Sequence, residues 1–292
     1  MLYLALSVLF SSLIFVVFKL FAKYQIQTFY AIITNYVVAC SVGLFFSEST
    51  ISITSIIHKK WFIGTLFIAI LFISVFNLMA SAAQKVGVSA ASVATKMSFV
   101  MPVLYGVIAY KDNLNYVKII GILLAIAAVY FAAGKDKRTN NATQGKSTFL
   151  LPIAVFIGSG LVDVSLKYVQ LKYVPKTDTS LFSATIFGVA ACIGFIIIIA
   201  KSFKKPFKIN IKNVTGGIVL GVPNFFSIYY LLKALENQYL NSSQIFTINN
   251  VAIVLFSTLL GVLLFKEKLS LKNWSGIALA IISILLVSSF NG

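Results

Sequence analysis

Apolar residues fall in ten long runs, at about 2–22, 29–47, 61–83, 89–110, 115–133, 148–170, 179–200, 214–235, 240–265 and 270–290, with short polar stretches between them. Each run is close to the roughly 20 residues that an α-helix needs to cross a bilayer core. Hydrocarbon offers no partner to an unpaired backbone group, so runs of this kind span as helices. The pattern predicts an all-α membrane protein with ten transmembrane helices. Ten such spans consume about 200 residues. What is left of the 292 makes short connections, with no stretch long enough for an independently folded domain outside the membrane.

The pattern breaks once, between Gly134 and Ser147, where Lys135, Asp136, Lys137, Arg138, Thr139, Asn140 and Asn141 form a polar, turn-rich linker. The break divides the chain into residues 1–133, a linker at 134–147, and residues 148–292. An offset of 155 residues lays Gly106, Val107, Lys111, Leu114, Gly121, Ile122, Leu124, Ala125 and Ile126 on identical residues between Gly261 and Ile281. Spans one and six align at an offset of 148, matching Lys19 with Lys167, and spans two and seven at 152, matching Ala39 and Cys40 with Ala191 and Cys192. A repeat with an odd number of spans must enter the membrane in opposite senses in its two copies. The expectation is an inverted 5+5 repeat, the geometry that supports alternating access in many carriers.

Composition narrows the reading. With 59% hydrophobic and 11% charged residues, too few polar side chains exist to coat a soluble surface. The net charge of +17 comes mostly from lysines in loops beside the spans, where basic residues set topology; no nucleic-acid partner is expected. Cys40 and Cys192 lie inside apolar runs without metal-ligand spacing and read as packing residues. The first run has no basic residue before it and meets Lys19, Phe21 and Lys23 where a cleavage site would need small residues. It reads as a retained helix.

The segment Val262 to Val287 carries Phe265, Lys266, Glu267, Lys268 and Leu269 after a Gly-containing span, with Gly276 further on. In this it resembles the end of the EamA-type repeat of the drug/metabolite transporter superfamily. The stretch from Ala82 to Gly121 is similar, with Ser89, Ala90, Ala91, a mid-span Pro102-Val103 and Lys111-Asp112-Asn113-Leu114. There Asp112 and Asn113 replace the commoner Gly-Glu pair. The resemblance covers essentially the whole chain and implies a ten-span transporter. Members of this group move amino acids, nucleotide sugars, drugs and other metabolites, so no motif names a substrate.

Polar groups within spans are costly, roughly 2.5–3.5 kcal/mol for a mid-helix lysine on insertion scales, and therefore point toward a cavity. In span four Ser89, Ser92 and Lys96 share one helical face, with Thr95 beside them. In span nine the repeat counterparts of Ser89, Ser92 and Thr95 are Gln244, Thr247 and Asn250, with Asn249 adjacent. Two such stripes facing one another predict a central polar pocket. Span three adds Ser74, Asn77, Ser81 and Gln84, and span eight adds Asn224, Ser227 and Tyr230 after a Gly221-Val222-Pro223 step expected to loosen that helix. Ser, Thr and Asn in spans also serve simply to bridge neighbouring helices.

The expected substrate-binding set is Lys96, Ser92, Thr95, Asn77, Asn224, Gln244, Thr247 and Asn250. Lys96 has no acid within a turn, so its charge calls for an anion from elsewhere. Asp163 in span six and Glu236 at the end of span eight are the protein candidates; a substrate carboxylate or phosphate is the alternative. Asp163 and Lys167 stand at i and i+4 and can pair with each other. Asp163, Lys167 and Glu236 form the expected coupling or ion-pair group. The pocket is expected between spans one, three, four, six, eight and nine. Spans five and ten, with Gly121/Ala125 and Gly276/Ala280 at small-xxx-small spacing, read as scaffold or as the face of a homodimer.

These residues predict a secondary carrier in the cell membrane, an exporter or exchanger of a small polar metabolite such as an amino acid. The partners expected are that substrate and the lipid bilayer, and no cofactor. A flippase for a lipid-linked substrate is the rival reading, and a lateral opening would distinguish it. The sole histidine, His58, is in a loop and no hydrolase or protease motif is present, which argues against an enzyme. Lys and Arg concentrate in loops after odd-numbered spans, which places the linker in the cytoplasm and both termini outside. The family resemblance implies the reverse, and orientation stays open at this stage.

Overall fold

A computed structural model describes residues 1–46, 56–110, 115–133, 147–175, 178–203, 210–235 and 242–289. The linker at 134–147, apart from Ser147, lies outside them, as does Glu236. The described residues form eleven α-helices: α1 (Leu2–Lys23), α2 (Thr28–Phe45), α3 (Phe62–Lys85), α4 (Val88–Met97), α5 (Val100–Tyr110), α6 (Tyr116–Ala132), α7 (Ser147–Tyr173), α8 (Thr179–Ser202), α9 (Ile211–Leu235), α10 (Ser242–Phe265) and α11 (Leu271–Ser289). Helices α4 and α5 together make one broken span, so ten spans result.

The break follows from Pro102. Proline has no N–H to offer the carbonyl four residues back, and its ring clashes with that carbonyl. The residue concerned is Ser98; helix stops at Met97 and restarts at Val100. Ser98 O instead accepts from the Met101 N–H at 2.9 Å. Pro102 then sits in the first turn of α5, where proline is tolerated. The loosening expected at Pro223 is not seen: α9 runs unbroken through it. The Gly221 beside it serves packing, since a Cβ there would come within 2.7 Å of Val38 and 3.0 Å of Asn35 O on α2.

The fifth span of each repeat begins at an equivalent cap. Asn115 Oδ1 accepts from the Lys118 N–H at 2.8 Å before α6. At the matching position before α11, Ser270 N–H donates to Asn273 Oδ1 at 3.0 Å and Asn273 N–H donates to Ser270 Oγ at 3.3 Å, a reciprocal capping arrangement.

Contacts at the helix ends define two faces. Lys59, before α3, meets Asp178, before α8, with 2.9 Å between Nζ and Oδ2. These lie on the face that also carries both chain termini, the terminus face. Asn213 at the start of α9 accepts from the Gln27 N–H at 2.9 Å on the opposite face, where the linker attaches. Helix α1 runs from the terminus face to the linker face and α7 runs back, so the repeats are inverted. Every major pairing between repeats recurs with the roles exchanged: α2 with α9 and α3 with α8, α1 with α9 and α3 with α7, α1 with α10 and α4 with α7.

Helices α6 and α11 pair closely across the pseudo-two-fold. Ser283 Oγ donates to Gly121 O at 2.7 Å, and Asn273 Nδ2 donates to Ala132 O at 2.9 Å. A Cβ on Gly276 would meet Ala132 N at 2.5 Å and Ala128 O at 2.9 Å. The small-residue stripes of spans five and ten therefore face each other within one chain.

Candidate functional site

A cavity of about 720 Å³ lies at mid-bundle, a volume suited to a small molecule. Its walls come from α3, α4, α5, α7, α9, α10 and α11. On α9, Asn224, Ile228 and Leu231 line it, and on α11, Ile284, Val287 and Ser288; both sets run from mid-helix toward the terminus face. Along these two helices the cavity therefore extends toward that side.

The helix break positions the charged groups. Lys96 occupies the last turn of α4, where free carbonyls carry the negative end of the helix dipole and favour a cation by about 0.3–1 kcal/mol. It is half-buried, lines the cavity and makes no ion pair with a described residue. Asp163, midway along α7, is exposed because it faces the same space, and its charge and that of Lys96 act on each other. Lys167 lines the cavity one turn further toward the terminus face.

Ser98, at the break, links the two helices. Its Oγ lies 2.6 Å from Thr95 O and 3.1 Å from Asp163 Oδ2. One hydroxyl proton cannot fully serve two acceptors. Both contacts are satisfied together when Asp163 carries a proton and donates to Ser98 Oγ while Ser98 donates to Thr95 O.

Polar groups on the other walls are held from behind. Asn224 Nδ2 donates to Asn35 Oδ1 at 3.1 Å, locking α9 to α2 beneath the cavity surface. Thr247 and Asn250 line the α10 wall, while Ser159 Oγ and Asn249 Oδ1 are buried wall atoms with no hydrogen-bond partner among the described residues. Phe72, Phe76, Phe99 and Phe246 supply apolar surface. No cluster of three His, Cys, Asp or Glu occurs among the described residues.

Of the sequence-derived candidates, Lys96, Thr95, Asn224, Thr247, Asn250, Asp163 and Lys167 come together here. Ser92 does not; it is buried and its Oγ donates to Ser89 O at 2.9 Å within α4. Asn77 Nδ2 donates to Ile73 O of its own helix at 2.7 Å, and Gln244 lies outside the lining. Span one supplies no lining residue, whereas span ten supplies three. Both differ from expectation: α1 is spent on packing against α9 and α10, and the inner face of α11 forms a wall below the α6 contact. Ser98 and Phe99 were missed, although Pro102, four residues after Ser98, was a legible signal of a break there.

The EamA-like transporter family model matches residues 1–134 and again residues 146–289. The chain belongs to the EamA-like transporter family. It is accordingly a multi-pass membrane protein of the drug/metabolite transporter superfamily, a membrane transporter of small substrates. Another similar sequence is an uncharacterized protein of Haemophilus influenzae, 30% identical over 288 residues, covering 95% of this chain and 94% of that protein. A solved structure described only as the crystal structure of a protein matches with a TM-score of 0.60 at 14% identity, over 98% of this chain and 94% of that one. That likeness concerns the fold alone. Within the EamA-like architecture, the cavity lies where the fourth spans of the two repeats meet, on the pseudo-two-fold axis.

Proposed function

We propose that this EamA-like protein is a secondary carrier of the cell membrane that exports or exchanges a small polar metabolite bearing a carboxylate, such as an amino acid, by alternating access. The observation that carries the reading is Lys96, a cation at a broken-helix end inside a cavity whose α9 and α11 walls run toward the terminus face. Discontinuous spans with ion sites at their ends are a recurrent device of secondary carriers. A substrate carboxylate offsets the Lys96 charge, Asp163 receives an ammonium group, and the phenylalanine walls accept an apolar side chain.

Asp163 also carries the coupling proton in this proposal, because protonating it completes the Ser98 hydrogen bonds and discharging it frees a carboxylate for substrate. A flippase would need its head-group site joined to a lipid-facing groove. The apolar groove of about 660 Å³ between α1 and α10 shares no lining residue with the cavity around Lys96, which favours the carrier. A thermal-shift screen of the purified protein against amino acids and other carboxylates is expected to give stabilisation that Lys96→Met abolishes. Equal stabilisation of wild type and Lys96→Met by every ligand found would remove Lys96 from the site.

A further inference from the structure

The linker face is closed by a cluster that the cavity does not use. Gly87, before α4, has φ 146, a backbone setting open to glycine, and this turns the first N–H groups of α4 outward. They meet Glu267, which lies between α10 and α11 in the other repeat. Val88 N–H donates to Glu267 Oε1 at 2.7 Å, Ser89 N–H donates to Oε2 at 3.4 Å, and Ser89 Oγ donates to Oε2 at 3.1 Å.

Cβ atoms at Gly87 and Gly261 would come within 3.0 and 2.7 Å of Glu267 Oε2, so both glycines clear room for it. Lys19 Nζ of α1 stands 3.7 Å from Glu267 Oε1 and donates to Gln84 O of α3 at 3.2 Å. Gln84 Nε2 in turn donates to Phe18 O at 3.1 Å and Thr28 Oγ1 at 3.0 Å. One carboxylate thus fastens the second repeat to the ends of α1, α3 and α4. The repeat counterpart of Lys19 is Lys167, which here lines the cavity toward the terminus face. Equivalent lysines occupy unlike settings at the two ends, as a carrier caught in one of two inverted states requires.

We propose that Glu267 is the positioning residue of a latch, with Lys19 and the α4 N-terminus, that holds the cavity shut on the linker face and must release for it to open there. The proposal rests on the alternating-access reading above. A carboxylate on free N–H groups and beside a lysine is favoured by the helix dipole and by charge-assisted hydrogen bonds. Opening the linker face separates α4 from the α10–α11 turn and exposes both partners to water.

The test uses Thr95→Cys in a Cys40→Ala, Cys192→Ala background and a membrane-impermeant maleimide applied from either side of oriented vesicles. The parent is expected to react from the terminus face and slowly from the linker face. Glu267→Gln keeps the shape and removes the charge. It is expected to raise linker-face labelling at least about tenfold and to lower labelling from the terminus face, the shift that follows when a charged hydrogen bond is weakened in one of two states. Lys19→Met, which leaves the α4 cap in place, is expected to move both rates in the same directions by less, and it decides the matter if Glu267→Gln fails to insert. Unchanged linker-face labelling, or a rise from both faces together, would overturn the latch. Equal labelling of the parent from both faces would likewise overturn the latch, since the linker face would not be held shut, whereas labelling from neither face would sink the carrier reading on which it rests.

Discussion

At the scale of single residues, what separates a functional side chain from a structural one in this bundle is where its hydrogen bonds already go. Ser89, Ser92 and Lys96 share a helical stripe in sequence, yet Ser89 is engaged by Glu267 and Ser92 by its own helix. Only Lys96 is left facing the cavity, because helix ends one residue after it. The lysine was legible because a mid-span charge has so few tolerable settings. The fates of Ser92 and Asn77 were not, since a short polar side chain satisfies itself on the preceding turn without leaving a mark in the sequence. Asp163 carries the sharpest residue-level prediction. Asp163→Asn retains a group able to donate to Ser98 Oγ and loses the exchangeable proton. Counterflow of substrate is expected to persist, whereas uptake driven by a pH gradient in proteoliposomes should fall to background. Gradient-driven uptake equal to wild type would exclude Asp163 as the coupling group.

Elements add a constraint that no single residue shows. Span four is the one whose helix is interrupted mid-span among the described residues, and its counterpart α10 is continuous, with Ser257 standing where Pro102 stands in the first repeat. Inversion symmetry is therefore broken at the site itself, and it places one cationic helix end in the cavity instead of two. Pro102→Ala supplies an N–H that can reach Ser98 O, so that α4 and α5 can join as one continuous helix. The variant is expected to melt higher in detergent and to transport about two- to fivefold more slowly, because healing the break moves Lys96 away from a helix terminus worth about 0.3–1 kcal/mol to it. A lower melting temperature would show that the break is imposed by packing rather than by the proline.

The ten spans and the pairing of the two repeats were readable from apolar periodicity and offset identities. The wall contributed by α11 was not, because Ile284 and Val287 look like lipid-facing residues until tertiary packing turns them inward. The fifth spans give a matching test of scaffold strength. Where Gly276 lacks a Cβ it abuts the backbone of α6, with Ala128 O at 2.9 Å and Ala132 N at 2.5 Å from that position. Gly276→Val is expected to destabilise the protein by about 1–3 kcal/mol through overpacking, read as a lower melting temperature, while ligand specificity of the folded fraction stays unchanged.

On the scale of the whole molecule, the cavity extends toward one face and the latch closes the other, so the side of the membrane each face occupies decides what the resting state can meet. Basic residues settle unequally between them. Lys23, Lys85, Lys201, Lys212, Lys266, Lys268 and Lys272 stand on the linker face, against Lys59, Lys60, Lys118, Lys172 and Lys233 on the terminus face among the described residues. Lysine and arginine close to span ends resist translocation, and the effect is strongest in short loops such as these. The rule predicts a cytoplasmic linker face, with the cavity facing the outside. A green fluorescent protein fused after Gly292 is expected to be dark and an alkaline phosphatase at the same position active. The opposite pattern would reverse the assignment: the same cavity would face the cytoplasm, and Lys19 with Glu267 would guard the outer surface.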